Sequence, residues 1–305
     1  MTKKYVEMYA EVDKAIQKCS SERQMPGLND EVRKTLNLQF VDSIKRIKII
    51  EVIDKKGVDD TCLKLNSDTF NPIKAIAWYK SIGNYNEAIW LIFLVTHFGK
   101  NINTNWNLLV DTYSGARVDS IWNWESTSTE LGDFLDWLNL NEGNLKKVGK
   151  FGNHRKYQSI SAVCKNGTGD AFTSYINWIG EDRDQLAKLL EVTNSAGNSF
   201  ERFDMLYSAI KRNVNSFGRM ATFDFCTMLG KFRLLDIEPG HTYLAGATGP
   251  VSGLKTLFGN KTLKELDEDV MVLYRNLNQF YGMQIIEDAI CNWQKSTAKY
   301  RYFGG

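Results

Sequence analysis

The sequence predicts an all-α protein, because proline is scarce and long stretches repeat their apolar residues with the helical period of 3.6. Only 4 of the 305 residues are proline, well below the usual ~5%. Strand-like alternation is nearly absent, and only SIKRIKIIEV (Ser43–Val52) could form either a strand or a helix. The chain is 43% hydrophobic and 24% charged, which is typical of a globular protein. Its length is sufficient for two helical lobes.

The helical pattern recurs along the chain. Asp68–Tyr79 leads into Tyr85–Phe98, whose run AIWLIFLV is apolar on every side and predicts a buried helix. ELGDFLDWLNL (Glu130–Leu140) places its apolar residues on one stripe, as in an amphipathic helix. The other predicted helices are Ser199–Asn213, Arg219–Lys231, Lys264–Phe280 and Ile285–Lys295. We expect an N-terminal helical extension at 1–65 and a main domain at 66–305. Its lobes would span about 66–150 and 151–305, divided near the Gly/Asn/Lys-rich stretch 141–153.

Several classes of protein are disfavoured. The longest apolar run has eight residues, too short for a membrane span, and MTKKYVEMYAEVDKAIQKC lacks the apolar region of a signal peptide. Five cysteines without C-x-x-C spacing and three separated histidines predict neither disulfides nor a metal site. Motifs of P-loop, G-x-S-x-G and H-E-x-x-H type do not occur. We therefore expect a cytoplasmic protein without a metal or cofactor.

Glycines are concentrated in YLAGATGPVSGLKTLFG (Tyr243–Gly259). Gly246, Gly249 and Gly253 precede or begin an apolar helical run, and Lys255 lies within it. Glycine permits a tight turn and close approach of the backbone to a ligand, while a helix N-terminus favours an anion. This pattern predicts a helix-hairpin-helix element that contacts a DNA phosphate. A purely structural turn between two helices is the alternative.

An acidic helix is predicted at MQIIEDAICNWQK (Met283–Lys295). Helical spacing places Asp288 and Lys295 on one face, with Glu287 beside them. Two carboxylates near a lysine could act in acid–base catalysis or stabilise a cationic sugar. An exposed salt bridge is the alternative. Trp293, on the same helix, could stack a base, although most aromatic residues of such chains belong to the core.

Two further segments carry charge next to apolar residues. FGNHRKY places His154, Arg155 and Lys156 in one turn, suited to phosphate contact or to simple solvation. SFGRMATFDFCTMLG contains Arg219 and Asp224 within an apolar helix. Charged residues there must be paired or functional, so a buried Arg–Asp pair is the alternative to a functional site.

Several of these segments, in this order, resemble the alpha-glutamyl/putrescinyl thymine pyrophosphorylase superfamily, a group of helical enzymes associated with hypermodified bases in phage DNA. The matching blocks extend from about Phe70 to Lys295 and are Phe70–Lys100, FGNHRKY, Phe217–Lys231, Ile237–Gly259 and MQIIEDAICNWQK. The resemblance implies a two-lobed fold similar to helix-hairpin-helix DNA glycosylases. In such glycosylases the catalytic Asp follows the hairpin closely, which would point to ELDED (Glu265–Asp269) rather than to Asp288.

The expected function is a DNA glycosylase that excises a bulky modified pyrimidine from double-stranded phage DNA, leaving abasic sites as an antiviral defence. The base must be flipped out of the duplex. Asp288 or Glu287 would stabilise the sugar cation, or Lys295 would attack it. The predicted DNA contacts are Gly246, Gly249, Gly253, Lys255, His154, Arg155, Lys156 and Arg219, and the base pocket would contain Trp293, Phe223 and Asp224. The alternatives are transfer of an amine or amino acid onto pyrophosphorylated hydroxymethyluracil in DNA, and a non-enzymatic sensor of modified DNA.

Overall fold

The computed structural model describes residues 3–65, 70–117 and 121–303, which form fourteen α-helices and no strand. This confirms the predicted all-α class, while similarity to a DNA glycosylase remains a prediction. The helices are α1 (Lys3–Glu22), α2 (Asp30–Lys56), α3 (Pro72–Ser81), α4 (Tyr85–Phe98), α5 (Asn107–Tyr113), α6 (Trp124–Thr129), α7 (Leu131–Val148), α8 (Thr168–Ile179), α9 (Gln185–Thr193), α10 (Ser199–Asn213), α11 (Arg219–Lys231), α12 (Thr248–Phe258), α13 (Leu263–Leu277) and α14 (Gly282–Trp293).

The predicted helices agree closely with the observed ones. Helices α4, α10 and α11 have the predicted ends, and the ambiguous stretch Ser43–Val52 lies within α2. Helix α3 begins at Pro72 after the Asn71 N-cap, and the predicted start at Asp68 lies outside the described residues. The Gly/Asn/Lys-rich stretch does not end α7, which continues to Val148 because Phe134, Leu138 and Leu145 remain buried along it.

The chain divides into unit 1, Met1–Ile49 with Glu238–Gly304, and unit 2, which is essentially Ile50–Ile237. This division differs from the predicted lobes, because α1 and the first part of α2 belong with the C-terminal helices. In unit 1, α1 packs on α13, and α12 packs on α14. Their apolar faces form one core that includes Ile16, Phe40, Leu257, Leu273, Ile286 and Trp293.

The C-terminal segment, defined here as residues 297–303, is bound along one stripe of α2 in unit 1. The Gln39 side chain donates to the Arg301 carbonyl at 2.7 Å. The Tyr300 hydroxyl donates to Asp42 at 2.5 Å. Thr35 and Arg46 donate to the carbonyls of Thr297 and Phe303. Positions 35, 39, 42 and 46 are three or four residues apart and therefore share one helix face.

Unit 2 is built around α4. Every residue of α4 from Glu87 to Phe98 is buried, which explains its apolar composition. Phe93 stacks on Tyr175 with ring centroids 4.2 Å apart and on Phe217 at 4.9 Å. Offset aromatic pairs of this kind contribute about 0.5–1.5 kcal/mol each beyond the apolar area they bury. Helix α4 is therefore the centre of the unit 2 core, and loops follow at both of its ends.

Candidate functional site

The predicted site residues fall into two groups, one in each unit. In unit 1, the Asp288 side chain is 33% exposed and is already hydrogen-bonded at both oxygens. Its Oδ2 accepts from Ser43 Oγ at 2.6 Å and from Arg46 Nε at 2.9 Å. Its Oδ1 accepts from Asn292 Nδ2 at 2.8 Å. The guanidinium largely neutralises this carboxylate, which weakens its attraction for a developing sugar cation.

The other two predicted catalytic residues lie close to Asp288 in sequence. Glu287 is buried on α14. Lys295 follows the end of α14, where its Nζ donates to Asn292 Oδ1 at 2.9 Å and lies 4.7 Å from the centroid of the Phe303 ring. Asn292 thus links Lys295 to Asp288 through two hydrogen bonds. The catalytic role of the three residues remains a prediction.

Two carboxylates of the alternative ELDED segment support α13. Glu265 forms a capping box with Thr262 at the N-terminus of this helix. Asp269 is buried, and it accepts from Lys261 Nζ at 2.6 Å and lies 3.6 Å from Arg23 Nε. Buried charges need such partners, so the structure accounts for these two acidic residues without catalysis.

The hairpin glycines differ in their surroundings, and two of them pack against α14. A Cβ at Gly249 would lie 2.7 Å from Cys291 Sγ, and a Cβ at Gly253 would lie 2.6 Å from Ile290 Cγ2. Gly253 needs glycine because the backbone oxygen of Ile290 is also 2.7 Å from the added Cβ, whereas at Gly249 only the Cys291 thiol would have to move. Gly246 is exposed with φ of +80° and open space around it, and Lys255 is exposed on α12. The phosphate contact of this segment remains a prediction.

Two aromatic residues of the predicted base pocket belong to the core. Trp293 is fully buried, and its indole N–H donates to Thr35 Oγ1 at 3.2 Å. Phe223 is buried in α11 and packs edge-on against Phe203 in unit 2. Neither ring can stack on a base in this conformation, which corrects the prediction. Asp224, by contrast, keeps a side chain that is more than one-third exposed.

The basic turn of unit 2 is partly buried. Arg155 is buried, with its Nε donating to the Thr96 carbonyl at 2.8 Å and its Nη2 lying 3.6 Å from Asp224 Oδ2. Asp224 therefore pairs with Arg155, and the predicted contact of Arg155 with DNA is contradicted by its burial. His154 and Lys156 are exposed in the same turn, and Arg219 is half-buried at the start of α11.

A cavity of about 350 Å³ lies beside this turn, and we call it the lysine cavity. Lys146 comes from α7, Lys150 from the loop that follows, and Lys156 from the basic turn, while no carboxylate lines the cavity. Gln158 also lines the cavity, and its Oε1 is buried without a hydrogen-bond partner among the described residues. The other lining residues are Asn101, Leu108, Gly149, Phe151, Ser159 and Ile160. Lys146 Nζ is paired with Glu142 Oε1 at 2.5 Å on α7, so Lys150 and Lys156 are the two ammonium groups of the cavity best suited to a phosphate or pyrophosphate group.

A second cavity of unit 2, of about 400 Å³, contains a carboxylate that the sequence analysis missed. We call it the Glu87 cavity. Glu87 is buried at the first turn of α4, where Oε1 accepts from the Tyr113 hydroxyl at 2.7 Å and Oε2 accepts from the Trp124 backbone N–H at 2.8 Å. Burial raises the pKa of Glu87 to about 7, although both hydrogen bonds oppose this rise. In the sequence, Glu87 could have been noticed as an acidic residue directly before the apolar run AIWLIFLV.

Three further structural findings bear on function. Within the described ranges, no group of three or more His, Cys, Asp or Glu side chains is arranged to hold a metal ion. All five cysteines are free thiols. Among the helices as described, none is long and apolar enough to cross a membrane.

The fold and the cavities define an all-helical protein with one concavity lined by lysines and another that contains a buried carboxylate. No curated protein and no solved structure matches this chain. One family model does match, over residues 31–305: alpha-glutamyl/putrescinyl thymine pyrophosphorylase clade 3. The chain belongs to the alpha-glutamyl/putrescinyl thymine pyrophosphorylase family, as the resemblance of its sequence blocks predicted. The family name describes an enzyme that acts on modified thymine.

Proposed function

We propose that the protein exchanges a pyrophosphate group for an amine on the methyl carbon of a modified thymine in DNA. The observation that carries this proposal is the family match over residues 31–305. The reaction is the amine transfer that the sequence analysis considered as an alternative to base excision. Excision has less support, because Asp288 is neutralised by Arg46 and the Trp293 ring is inaccessible.

The lysine cavity supports a substrate that is rich in phosphate. Pyrophosphate and the DNA backbone are both polyanions, and ammonium groups bind them through charge-assisted hydrogen bonds. Lys146, Lys150 and Lys156 line the cavity, and no lining residue is a carboxylate, although Lys146 is paired with Glu142 outside the lining. We infer that it binds phosphate groups of the DNA substrate, either in the backbone or in the leaving group.

The reaction can be tested on DNA that carries pyrophosphorylated hydroxymethyluracil, incubated with purified protein and a primary amine. The proposal expects free pyrophosphate and a new amine-bearing nucleoside in the digested DNA. Alkali-labile abasic sites together with free base would instead support a glycosylase and would overturn the exchange reaction. Binding of the modified DNA without any product would support a non-enzymatic sensor and would equally overturn it.

The phosphate site can be tested by measuring how DNA affinity depends on salt. We expect the double variant Lys150→Ala, Lys156→Ala to reduce the slope of log Kobs against log[salt] by about 2, because each lost phosphate contact changes it by about 1. Lys147→Ala is the matched control, since Lys147 is an exposed neighbour on α7 that does not line the cavity. An unchanged slope in the double variant would remove the lysine cavity from the DNA-binding surface.

A further inference from the structure

The Glu87 cavity is formed by polar side chains at the N-terminal end of α4. Asn84 is the N-cap of α4, and its side chain accepts from the Glu87 backbone N–H at 3.1 Å. Asn123 caps α6 in the same way, accepting from the Ser126 N–H at 2.9 Å. Each cap uses the amide oxygen of the side chain, which leaves the amide NH₂ groups available as donors. The lining residues are Asn84, Asn86, Glu87, Asn123, Trp124, Glu125, Ser128, Thr129 and Arg183.

The carboxylate of Glu87 is held in a fixed position. Tyr113 on α5 and the start of α6 each donate one hydrogen bond to it, and Tyr79 on α3 hydrogen-bonds to Tyr113. Each carboxylate oxygen can accept a further hydrogen bond, so the group can still bind a donor from the cavity. A carboxylate that is buried but borders a polar cavity is positioned to accept a proton from a ligand.

Charge is distributed unequally in this cavity. Glu87 is buried, whereas Glu125 and Arg183 are exposed. The Arg183 backbone is fixed there, since its carbonyl accepts from the Trp124 indole N–H at 2.8 Å. A small ligand with an ammonium group at one end and a carboxylate at the other would match a buried acid and an outer guanidinium.

We propose that the Glu87 cavity binds a free amino acid, with its ammonium group at Glu87 and its carboxylate at Arg183, and that Glu87 accepts the amine proton during exchange. This role rests on the proposed function. The Glu87 carboxylate first takes one proton from the bound ammonium group, which frees the lone pair of the nitrogen. The nitrogen then forms a bond to the methyl carbon of the modified thymine, the C–O bond to pyrophosphate breaks, and pyrophosphate leaves with that electron pair. The product nitrogen is a secondary ammonium group, so no further proton has to be removed.

The proposal also assigns the lysine cavity. The 14 residues of α4 span about 20 Å at 1.5 Å per residue. Glu87 lies at one end, and Asn101 of the lysine cavity follows the other end. An attacking amine and its leaving group must both contact the same carbon. If the amine binds at Glu87, the lysine cavity therefore contacts the DNA backbone and not the leaving pyrophosphate.

Amino-acid binding can be measured without DNA, by calorimetry with L-glutamate as the probe and putrescine for comparison. We expect wild-type protein to bind glutamate about tenfold more tightly at pH 8 than at pH 6, as Glu87 ionises. The other charged or titratable groups around the cavity are Tyr79, Tyr113, Glu125 and Arg183. Glu87→Gln should lower the affinity at pH 8 at least tenfold, and Arg183→Ala should weaken glutamate but not putrescine.

Glu130→Gln is the matched control, because Glu130 is exposed after α6 and does not line the cavity. Tyr113→Phe keeps the carboxylate but removes a hydrogen bond that favours its ionised form, so the pH midpoint of binding should move upward. This shift tests the role of Glu87 even if Glu87→Gln does not fold. No glutamate binding by wild-type protein, equal binding by folded Glu87→Gln, or an unchanged midpoint in Tyr113→Phe would overturn the site.

The two proposals fail separately. Exchange activity on modified DNA without glutamate binding at Glu87 would reject the amino-acid site alone. Glutamate binding that depends on Glu87, without exchange on modified DNA, would reject the proposed reaction while the binding site remains.

Discussion

Substitution of Gly253 by alanine tests whether the hairpin glycines serve helix packing. Its Cβ would lie 2.6 Å from Ile290 Cγ2 and 2.7 Å from the Ile290 carbonyl oxygen, well inside ordinary contact distance. Alanine gains up to about 1 kcal/mol in helix propensity, but overpacking a tight contact costs about 1–3 kcal/mol. Since α14 must shift to admit the methyl group, we expect Gly253→Ala to destabilise unit 1 by about 1–2 kcal/mol.

The matched control for Gly253→Ala is Gly143→Ala. Gly143 lies in the interior of α7, with no atom within 4 Å of an added Cβ, so the same change should stabilise α7 by about 0.5–1 kcal/mol. Amide hydrogen exchange reports the two units separately, through peptides of α12 and α14 and peptides of α7. Faster exchange in α12 and α14 of Gly253→Ala is expected. Unchanged protection there, together with weaker DNA binding, would refute the packing explanation and restore the phosphate clamp.

Three further predictions concern single residues. Burial lowers the pKa of His97 to about 3, so its NMR signals should not titrate between pH 5 and 8. Because this pKa lies below the unfolded value of ~6.5, the contribution of neutral His97 to stability should be lost progressively as the pH falls below ~6.5. An NMR titration midpoint near 6.5 for His97 would contradict its buried position. Asp288→Asn should weaken the pairing with Arg46 and lower the free energy of unfolding by about 1–2 kcal/mol. Because Arg46 also donates to the Phe303 carbonyl, proteolysis of the C-terminal segment should become faster. Unchanged proteolysis would show that the Asp288–Arg46 pair does not hold this segment. Thr262→Ala should cost about 1 kcal/mol of stability in urea denaturation through loss of the α13 capping box, whereas no change would show that the cap contributes little.

Helix positions were predictable because local sequence determines them. The fully apolar run of α4 and the 3.6-residue period of α10 and α11 gave their ends correctly. The two units were not predictable in this way, since unit 1 joins residues from both ends of the chain through side-chain packing. Periodicity shows which face of a helix is apolar, but it does not identify the distant helix that covers this face.

The candidate site was predictable mainly as a set of charged segments. The basic run 146–156 was recognised, but burial separates Arg155 from the lysines of the cavity, and sequence does not reveal burial. The role of a glycine is ambiguous in the sequence for a related reason. Gly253 could allow close approach of either a ligand or a neighbouring helix, and the position of Ile290 in the structure favours the helix. Glu87 was missed because its functional interest comes from burial and from Tyr113, which lies 26 residues away along the chain.

The exchange reaction is tested most directly by following both products at once. Modified DNA carrying pyrophosphorylated hydroxymethyluracil would be incubated with ¹⁵N-labelled glutamate or putrescine, and pyrophosphate and labelled nucleoside would be quantified together. The account predicts equal amounts of the two, with one labelled amine molecule retained on each altered base after digestion, which is one ¹⁵N for glutamate and two for putrescine. Release of the whole base, with no label in the DNA and strand breaks after alkali, would contradict it.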